Sequence, residues 1–222
     1  IWDWKEESGN KITNQMKRLG TSVDWNVSRF TMDEGLSDSV KEVFIDLYNR
    51  GLIYKDKRLV NWDPKLGTAI SDLEVNQFEK VGKMWFIKYQ LENSKDNIVV
   101  GTTRPETIFG DTGIAIHPKN KKLNHLIGKK ALIPILNKSI PIFGDEYADP
   151  EKGSGAVKIT PGHDFNDFEI GKKHDLEFVS IMDEKANLNK NTPNEYQGLN
   201  RFVARRKLIR ELEKDNKILK IV

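Results

Sequence analysis

Between residues 83 and 182 the chain is cut into seven short apolar runs, and this spacing constrains the fold more than any other feature. The runs are "KMWFIKYQL" (83 to 91), "NIVVGTT" (97 to 103), "TGIAIH" (112 to 117), "KALIPIL" (130 to 136), "SIPIF" (139 to 143), "GAVKIT" (155 to 160) and "EFVSIM" (177 to 182). Gly, Pro, Asn and Asp separate them, so each reads as a strand. Short strands at such intervals favour a folded, barrel-like sheet over a doubly wound parallel one. Helical pieces are expected near 119 to 127 and 164 to 174, and a charged helix over 201 to 217. The fold class is therefore α+β: a barrel-like folded β-sheet core with flanking helices.

Upstream of about residue 60 the period is helical. A short helix is predicted over 11 to 19, and Asp24 to Met32 form an extended link rich in Trp, Arg and Phe. "SDSVKEVFIDLYNR" (37 to 50) is the clearest helix: Val40, Val43, Phe44 and Leu47 follow i, i+3, i+4, i+7 spacing. Ser37 or Asp38 can cap its start and Gly51 can end it. Such a stripe is expected to be core. A domain boundary is expected near 60 to 80, where helices give way to strands.

Composition narrows the function classes. The 222 residues carry 36 basic and 33 acidic side chains, a net charge of +3, which permits a local basic patch but no broad nucleic-acid face. There is no cysteine, which removes disulfides and thiolate metal sites. No apolar run approaches the roughly 20 residues of a membrane helix. The start "IWDWKEESGN" has no signal-peptide shape and lacks an initiator Met, as expected of a piece of a longer chain.

Two polar clusters stand out against this background. "TTRPET" (102 to 107) places three threonines, an arginine and a glutamate at the mouth of the apolar run "IVVG". Strand mouths are where small-molecule sites are built, although a strand end followed by a capped turn would look the same. The second cluster is "GSGAVKITPGHDFNDFEIG" (153 to 171). Gly153 and Gly155 allow close backbone approach. Lys158 and Thr160 lie two apart on a strand and share a face, with Val157 and Ile159 on the other. Asp164 and Asp167 stand three apart at a helix start, where capping is their ordinary duty. Together with Lys158 and Thr160, such carboxylates can also hold an ammonium ion and test for a hydroxyl. Other chemistries fit less well. His163, Asp164, Asp167 and His174 make a poor metal set, because His163 and Asp164 are adjacent and no third nitrogen ligand follows at helical spacing. Ser154 with His163 and an Asp lacks the elbow of a hydrolase triad. "GSGAVK" lacks the spacing of a phosphate loop.

The pair "TTRPETIFGDT" and "GSGAVKITPGHDFNDFE" resembles the editing domain (connective polypeptide 1) of the valyl-tRNA synthetases. "SVDWNVSRFTMDEGL" and "RLVNWDPKLGTAISDLEV" resemble the approaches to that insertion. The resemblance runs from about residue 2 to beyond 206. It implies residues 1–62 as a helical approach segment from the catalytic domain, 63–200 as the editing domain, and 201–222 as a helix returning toward the catalytic domain. Neither aminoacylation signature is present: "HLIG" at 125 is not a HIGH tetrapeptide and there is no KMSKS. The implied function is hydrolysis of threonine from mischarged tRNA(Val), with threonyl-adenylate as a second candidate substrate. The alternative is a non-catalytic module that docks the acceptor end, for which Lys119, Lys121, Lys122, Lys129 and Lys130 would serve equally.

The physical case for editing stands beside the resemblance. Valine and threonine are near-isosteres, and the valyl enzymes' discrimination at binding, about a hundredfold, is the general illustration of where a single pocket falls short. A second site must demand the hydroxyl. Lys158, Thr160 and Asp164 offered to that hydroxyl would leave polar groups unpaired when valine enters, at roughly 1–3 kcal/mol each. By family analogy Asp167, Lys158 and Thr160 are the catalytic set, with Asp167 holding the α-ammonium. Thr102, Thr103, Arg104 and Thr107 contact the ester or the terminal adenosine, and Gly155 makes room. An oriented water suffices as nucleophile. No metal or other cofactor is expected for editing; ATP and magnesium belong to the parent enzyme. The expected partners are the threonine-bearing acceptor end of tRNA(Val) and the remainder of a monomeric, cytoplasmic synthetase. Three departures accompany the resemblance: Lys152 replaces an aromatic residue, Ser154 replaces the Thr of a GTG turn, and Asp63 and Leu66 stand where some relatives of the superfamily carry zinc-binding cysteines.

Overall fold

The computed structural model describes residues 2–222, which divide into two compact units, one ending at Lys57 and the other spanning Arg58–Val222. The first unit is helical. It contains α1 (Trp2–Ser8), α2 (Lys11–Arg18), a single 3₁₀ turn at Trp25–Val27 and α3 (Glu34–Asn49). The start of α3 corrects the expected cap. Asp33, not Ser37 or Asp38, accepts from Leu36 N at 2.8 Å, adding a turn to the helix. Gly51 ends it with a left-handed φ of 69°. The apolar stripe is also corrected. Val40, Val43 and Phe44 are more than half exposed, and α1 to α3 bury none of their residues. The 3.6-residue period fixes an apolar face but does not supply its cover.

The second unit begins with a small hairpin, β1 (Asn61–Asp63) and β2 (Thr68–Ile70), and continues into a seven-stranded sheet. Its strands are β3 (Trp85–Leu91), β4 (Asn97–Thr102), β5 (Gly113–Ile116), β6 (Lys130–Leu132), β7 (Ser139–Gly144), β8 (Ala156–Ile159) and β9 (Ile218–Ile221), with α4 (Phe165–Lys173) and α5 (Arg201–Lys214) alongside. The order is β4-β3-β6-β7-β5-β8. β3 pairs with β4 along one edge; its other edge is shared between β6 at Gln90 and Leu91 and β9 at Trp85 to Ile87. All pairings are antiparallel except β5 with β7. The path curls until its ends, β4 and β8, lie against each other, giving the nearly closed barrel expected from the strand spacing.

Alternation along the strands fills this barrel. Ile98 and Val100 of β4 point inward and meet Ile87, Tyr89, Ile114 and Ile140 in the main core, and Thr102 continues the buried positions of the strand toward its end. α5 closes one side with Ala204, Leu208 and Leu212. β8 separates two apolar layers: Ala156 belongs to the main core, whereas Val157 and Ile159 pack with Ala115, Ile170 and Leu176 outside it. Lys158 and Thr160 therefore share the barrel-side face with Ala156.

Three elements differ from the sequence expectation. Residues 177 to 182 form no ladder strand; only Met182 makes an isolated bridge, to Leu188. Their alternating pattern is met by packing instead: Val179 O lies where any Cβ on Gly162 would sit, at 2.3 Å. The piece near 119 to 127 is helical only at Asn124–Leu126, as one 3₁₀ turn. Upstream of it the Asn120 side chain accepts from Lys122 N and Leu123 N and substitutes for helix bonds. The last helix stops at Lys214, where Asn216 turns with a φ of 57° and the chain re-enters the sheet as β9.

Candidate active site

The two polar clusters meet at the β4/β8 end of the barrel. β4 ends in Thr102, and Pro105 opens a six-residue 3₁₀ helix, Pro105–Gly110, every residue of which is buried. Thr102 Oγ1 accepts from Arg104 N at 3.1 Å, and Thr107 donates to Arg104 O at 2.9 Å. The turn is thus folded by its own threonines. Glu106, 1% exposed, anchors it to α5 through two 2.6 Å bonds from Arg205. Arg104 reaches across to the second cluster and donates to His163 O at 2.9 Å.

From β8, Lys158 lies in the barrel wall with three acceptors around its ammonium: Thr107 Oγ1 at 3.1 Å, Asp111 Oδ1 at 2.8 Å and Thr160 Oγ1. Thr160 Oγ1 donates to Asp111 Oδ1 at 2.6 Å, and Tyr89 donates to Asp111 Oδ2 at 2.6 Å. Burial pushes Asp111 above the ordinary carboxyl range, while Lys158, Thr160 and Tyr89 oppose it. Tyr89 is pushed well up, first by burial and then by the Asp111 charge.

Asp164 caps α4, its Oδ1 accepting from Asn166 N at 2.9 Å and Asp167 N at 3.2 Å. Asp167 Oδ2 accepts from Thr160 N at 2.8 Å, while Oδ1 takes no hydrogen bond from the described residues. Burial raises Asp167 to about 6, against the Thr160 N–H and Lys158. His163 is lowered to about 4 by burial and by the nearby Arg104 and Lys158 charges. It is therefore neutral at pH 7, and its Nε2 accepts from Ile181 N at 2.9 Å. Among the described residues no group of three His, Asp or Glu is arranged to hold a metal ion.

A cavity of about 220 Å³ opens over this network, and Thr102, Thr103, Arg104, Thr107, Lys158, Thr160, Asp164 and Asp167 all line it. Eight of the nine residues expected from the sequence thus face one space. Gly155 does not line it. With φ at 75° and Asn120 Nδ2 only 2.7 Å from any added Cβ, it serves a turn outside the cavity. Lys152, in place of an aromatic residue, is exposed and pairs with Asp149. Tyr147, which the sequence reading passed over, supplies an aromatic wall. Asp111 and Tyr89 were also passed over. The signal for Asp111 was a single carboxylate inside "IFGDTGIAI", a charge that burial would oblige to find a cation. A second cavity, about 590 Å³, adjoins the first through Arg104, His163 and Asp164, and adds Arg58, Trp62 and Arg201.

The nearly closed barrel thus carries threonines, a lysine and two carboxylates around one cavity at one mouth. Residues 1–194 match the model of the tRNA synthetases class I (I, L, M and V), and the chain belongs to that family. It is 56% identical over 220 residues to the valine–tRNA ligase of Legionella pneumophila (strain Paris), and 55% over 213 residues to that of Pelagibacter ubique (strain HTCC1062). These alignments cover 99% and 96% of this chain, and 24% of each relative, so the chain spans about a quarter of their length. Among solved structures, the ternary complex of Agrobacterium radiobacter K84 agnB2 LeuRS with tRNA and LeuAMS superposes with a TM-score of 0.51 at 18% identity. It covers 99% of this chain and 36% of that one. Among the described residues, no helix is long and apolar enough to cross a membrane.

Proposed function

We propose that the unit from Arg58 to Val222 is a hydrolytic editing domain that releases threonine from mischarged tRNA(Val). The observation that carries this reading is the cavity itself. Its volume of about 220 Å³ is below the roughly 300–1,000 Å³ of drug-sized pockets and suits one amino acid. Its floor is a buried polar network that an apolar side chain would leave unanswered, and its rim carries a carboxylate, Asp167, with one oxygen open. A threonyl ester fits these features in order. The α-ammonium pairs with Asp167. The hydroxyl meets the Thr107, Lys158 and Thr160 floor, which penalises valine by roughly 1–3 kcal/mol per unpaired group. The terminal nucleoside extends into the larger cavity beside Trp62 and Arg104.

Hydrolysis then needs a positioned water. Its oxygen attacks the ester carbon, the acyl–oxygen bond to the ribose breaks, and the water's proton passes to the departing ribose oxygen, helped by the neighbouring ribose hydroxyl. Arg104 and the Thr102 and Thr103 hydroxyls are the donors at hand for charge developing on the carbonyl oxygen. The step calls for no cofactor. The partners are the tRNA acceptor end and the remainder of a monomeric, cytoplasmic synthetase, against which the exposed face of α3 is available. The same reading extends to threonyl-adenylate, whose acyl group presents the same ammonium and hydroxyl.

The test is to incubate the 222-residue chain with threonyl-tRNA(Val) and with valyl-tRNA(Val) and to measure free amino acid. Release of threonine but not valine is expected. Retention of RNA without release would replace this reading with that of a passive acceptor-end module.

A further inference from the structure

We infer that Asp111 is the positioning residue that makes this cavity read the substrate hydroxyl as a hydrogen-bond donor; the inference rests on the editing reading above. A lysine ammonium has three N–H groups, and Lys158 has three acceptors, Thr107 Oγ1, Asp111 Oδ1 and Thr160 Oγ1. None is left for a ligand. The Thr160 hydroxyl sends its one proton to Asp111 at 2.6 Å and takes one from Lys158, keeping a single open lone pair. The Thr107 hydroxyl sends its proton to Arg104 O at 2.9 Å and takes one from Lys158, and it too keeps one. The Lys158 end of the cavity therefore presents acceptors only. A threonine hydroxyl arriving there can pair by donating its own proton.

Asp111 enforces this polarity. It is 1% exposed, and it receives the protons of Lys158, Thr160 and, on its other oxygen, Tyr89 at 2.6 Å. Remove its charge and second acceptor site, and the Thr160 proton is free to turn toward the cavity. The floor would then offer a donor as well, and a ligand able only to accept would be tolerated. Asp111 does not line the cavity and touches no substrate. Its effect passes through Lys158 and Thr160, and its charge also leaves the pair with Lys158 neutral, so that Lys158 does not repel the α-ammonium.

The test compares three aminoacyl esters on the same tRNA: threonyl, valyl, and 2-amino-3-fluorobutyryl, whose fluorine fills the hydroxyl's place without a proton to donate. With the wild-type chain, kcat/KM for threonyl is expected to exceed that for the fluoro ester at least tenfold, and the fluoro ester to fall within about threefold of valyl. Equal rates for threonyl and fluoro esters would overturn the inference while leaving editing intact. Absence of threonine release altogether would take down both. With Asp111→Asn, at an unchanged circular-dichroism spectrum and a melting point within a few degrees, the threonyl-to-fluoro ratio is expected to fall at least tenfold. A folded variant with an unchanged ratio would show Asp111 to be structural only. If Asp111→Asn does not fold, Tyr89→Phe removes one of the bonds that hold Asp111 from outside the cavity. It should lower the same ratio at least threefold, and an unchanged ratio there also overturns the assignment.

Discussion

Replacing Asp167 by Asn should make the protein more stable and less active at once, and the size of the gain follows from its surroundings. The carboxyl is 7% exposed and raised from an ordinary 3.8 to about 6. At about 1.4 kcal/mol per pH decade, holding it ionised in the folded state at neutral pH costs about 3 kcal/mol. Asn keeps the shape of the neutral carboxyl and can still accept from Thr160 N. Its amide needs an acceptor of its own, which removes about 1–2 kcal/mol of the gain. The expected stabilisation is about 1–2 kcal/mol, or roughly 2–8 °C in the melting transition of the second unit. The pH window is set by the same shift. A carboxyl with a raised folded pKa binds its proton more tightly folded than unfolded, so wild-type stability falls as pH rises from about 4 to about 6. The groups that set this window are Lys158 and the Thr160 N–H, which favour ionisation, and Asp164 and Asp111, which oppose it; Tyr147 lies beside them and is itself raised. The variant should melt below wild type by about 1–2 kcal/mol near pH 4, where the wild-type carboxyl is neutral, and above it by about the same amount beyond pH 6. Threonyl-tRNA hydrolysis by the variant should drop by about 10–100-fold as the ammonium loses its charged partner. A variant that melts lower than wild type at pH 8, or by the same margin at every pH, would refute the reasoning.

Four further outcomes test other parts of the structure. Arg205→Ala should destabilise the second unit by about 3 kcal/mol or more in urea unfolding, because it leaves Glu106 charged and buried; Glu106→Gln should cost less, since Arg205 can reach solvent. Arg104→Ala should leave the fold intact and lower deacylation, because it keeps the backbone bonds to Thr102 and Thr107 and removes only the guanidinium that lines the cavity and donates to His163 O; wild-type rates in that variant would remove Arg104 from the site. Hydrolysis should be indifferent to EDTA, and activity lost in EDTA and restored by zinc would contradict a water-only mechanism. Binding of acceptor-end RNA should show a shallow salt slope of about −2 to −3, at about 0.7–0.9 per phosphate contact; a slope near −8 would mean a basic surface much larger than a net charge of +3 provides.

What was legible in the sequence and what was not divides along a physical line. Short apolar runs bounded by turn residues fixed the barrel strands β3 to β8 to within a few residues: β4 and β7 alternate with one buried face, whereas β5 is buried at all four positions and shows as a continuous apolar run. The same reasoning failed for residues 177 to 182, which alternate equally well but satisfy the pattern by packing on Gly162 and offering Ile181 N to His163. Period reports burial, and burial does not require a ladder partner. β9 was missed for the opposite reason. Its run "ILKI" is apolar, but it is four residues long, none of them fully buried, and it follows α5 after only three residues, so it reads as a continuation of the helix rather than as an edge partner for Trp85–Ile87 of β3. At the site, residues with evident chemistry in short motifs could be gathered by spacing alone, and eight of them do line one cavity. Asp111 and Tyr89 could not, because their meaning depends on partners 47 and 22 residues away in sequence. The helix-capping reading of Asp164 and its site reading turn out to be compatible. One oxygen holds the start of α4 while the side chain still lines the cavity, so the same bond that ends the turn also fixes Asp167 one helical turn later, with its open oxygen toward the space.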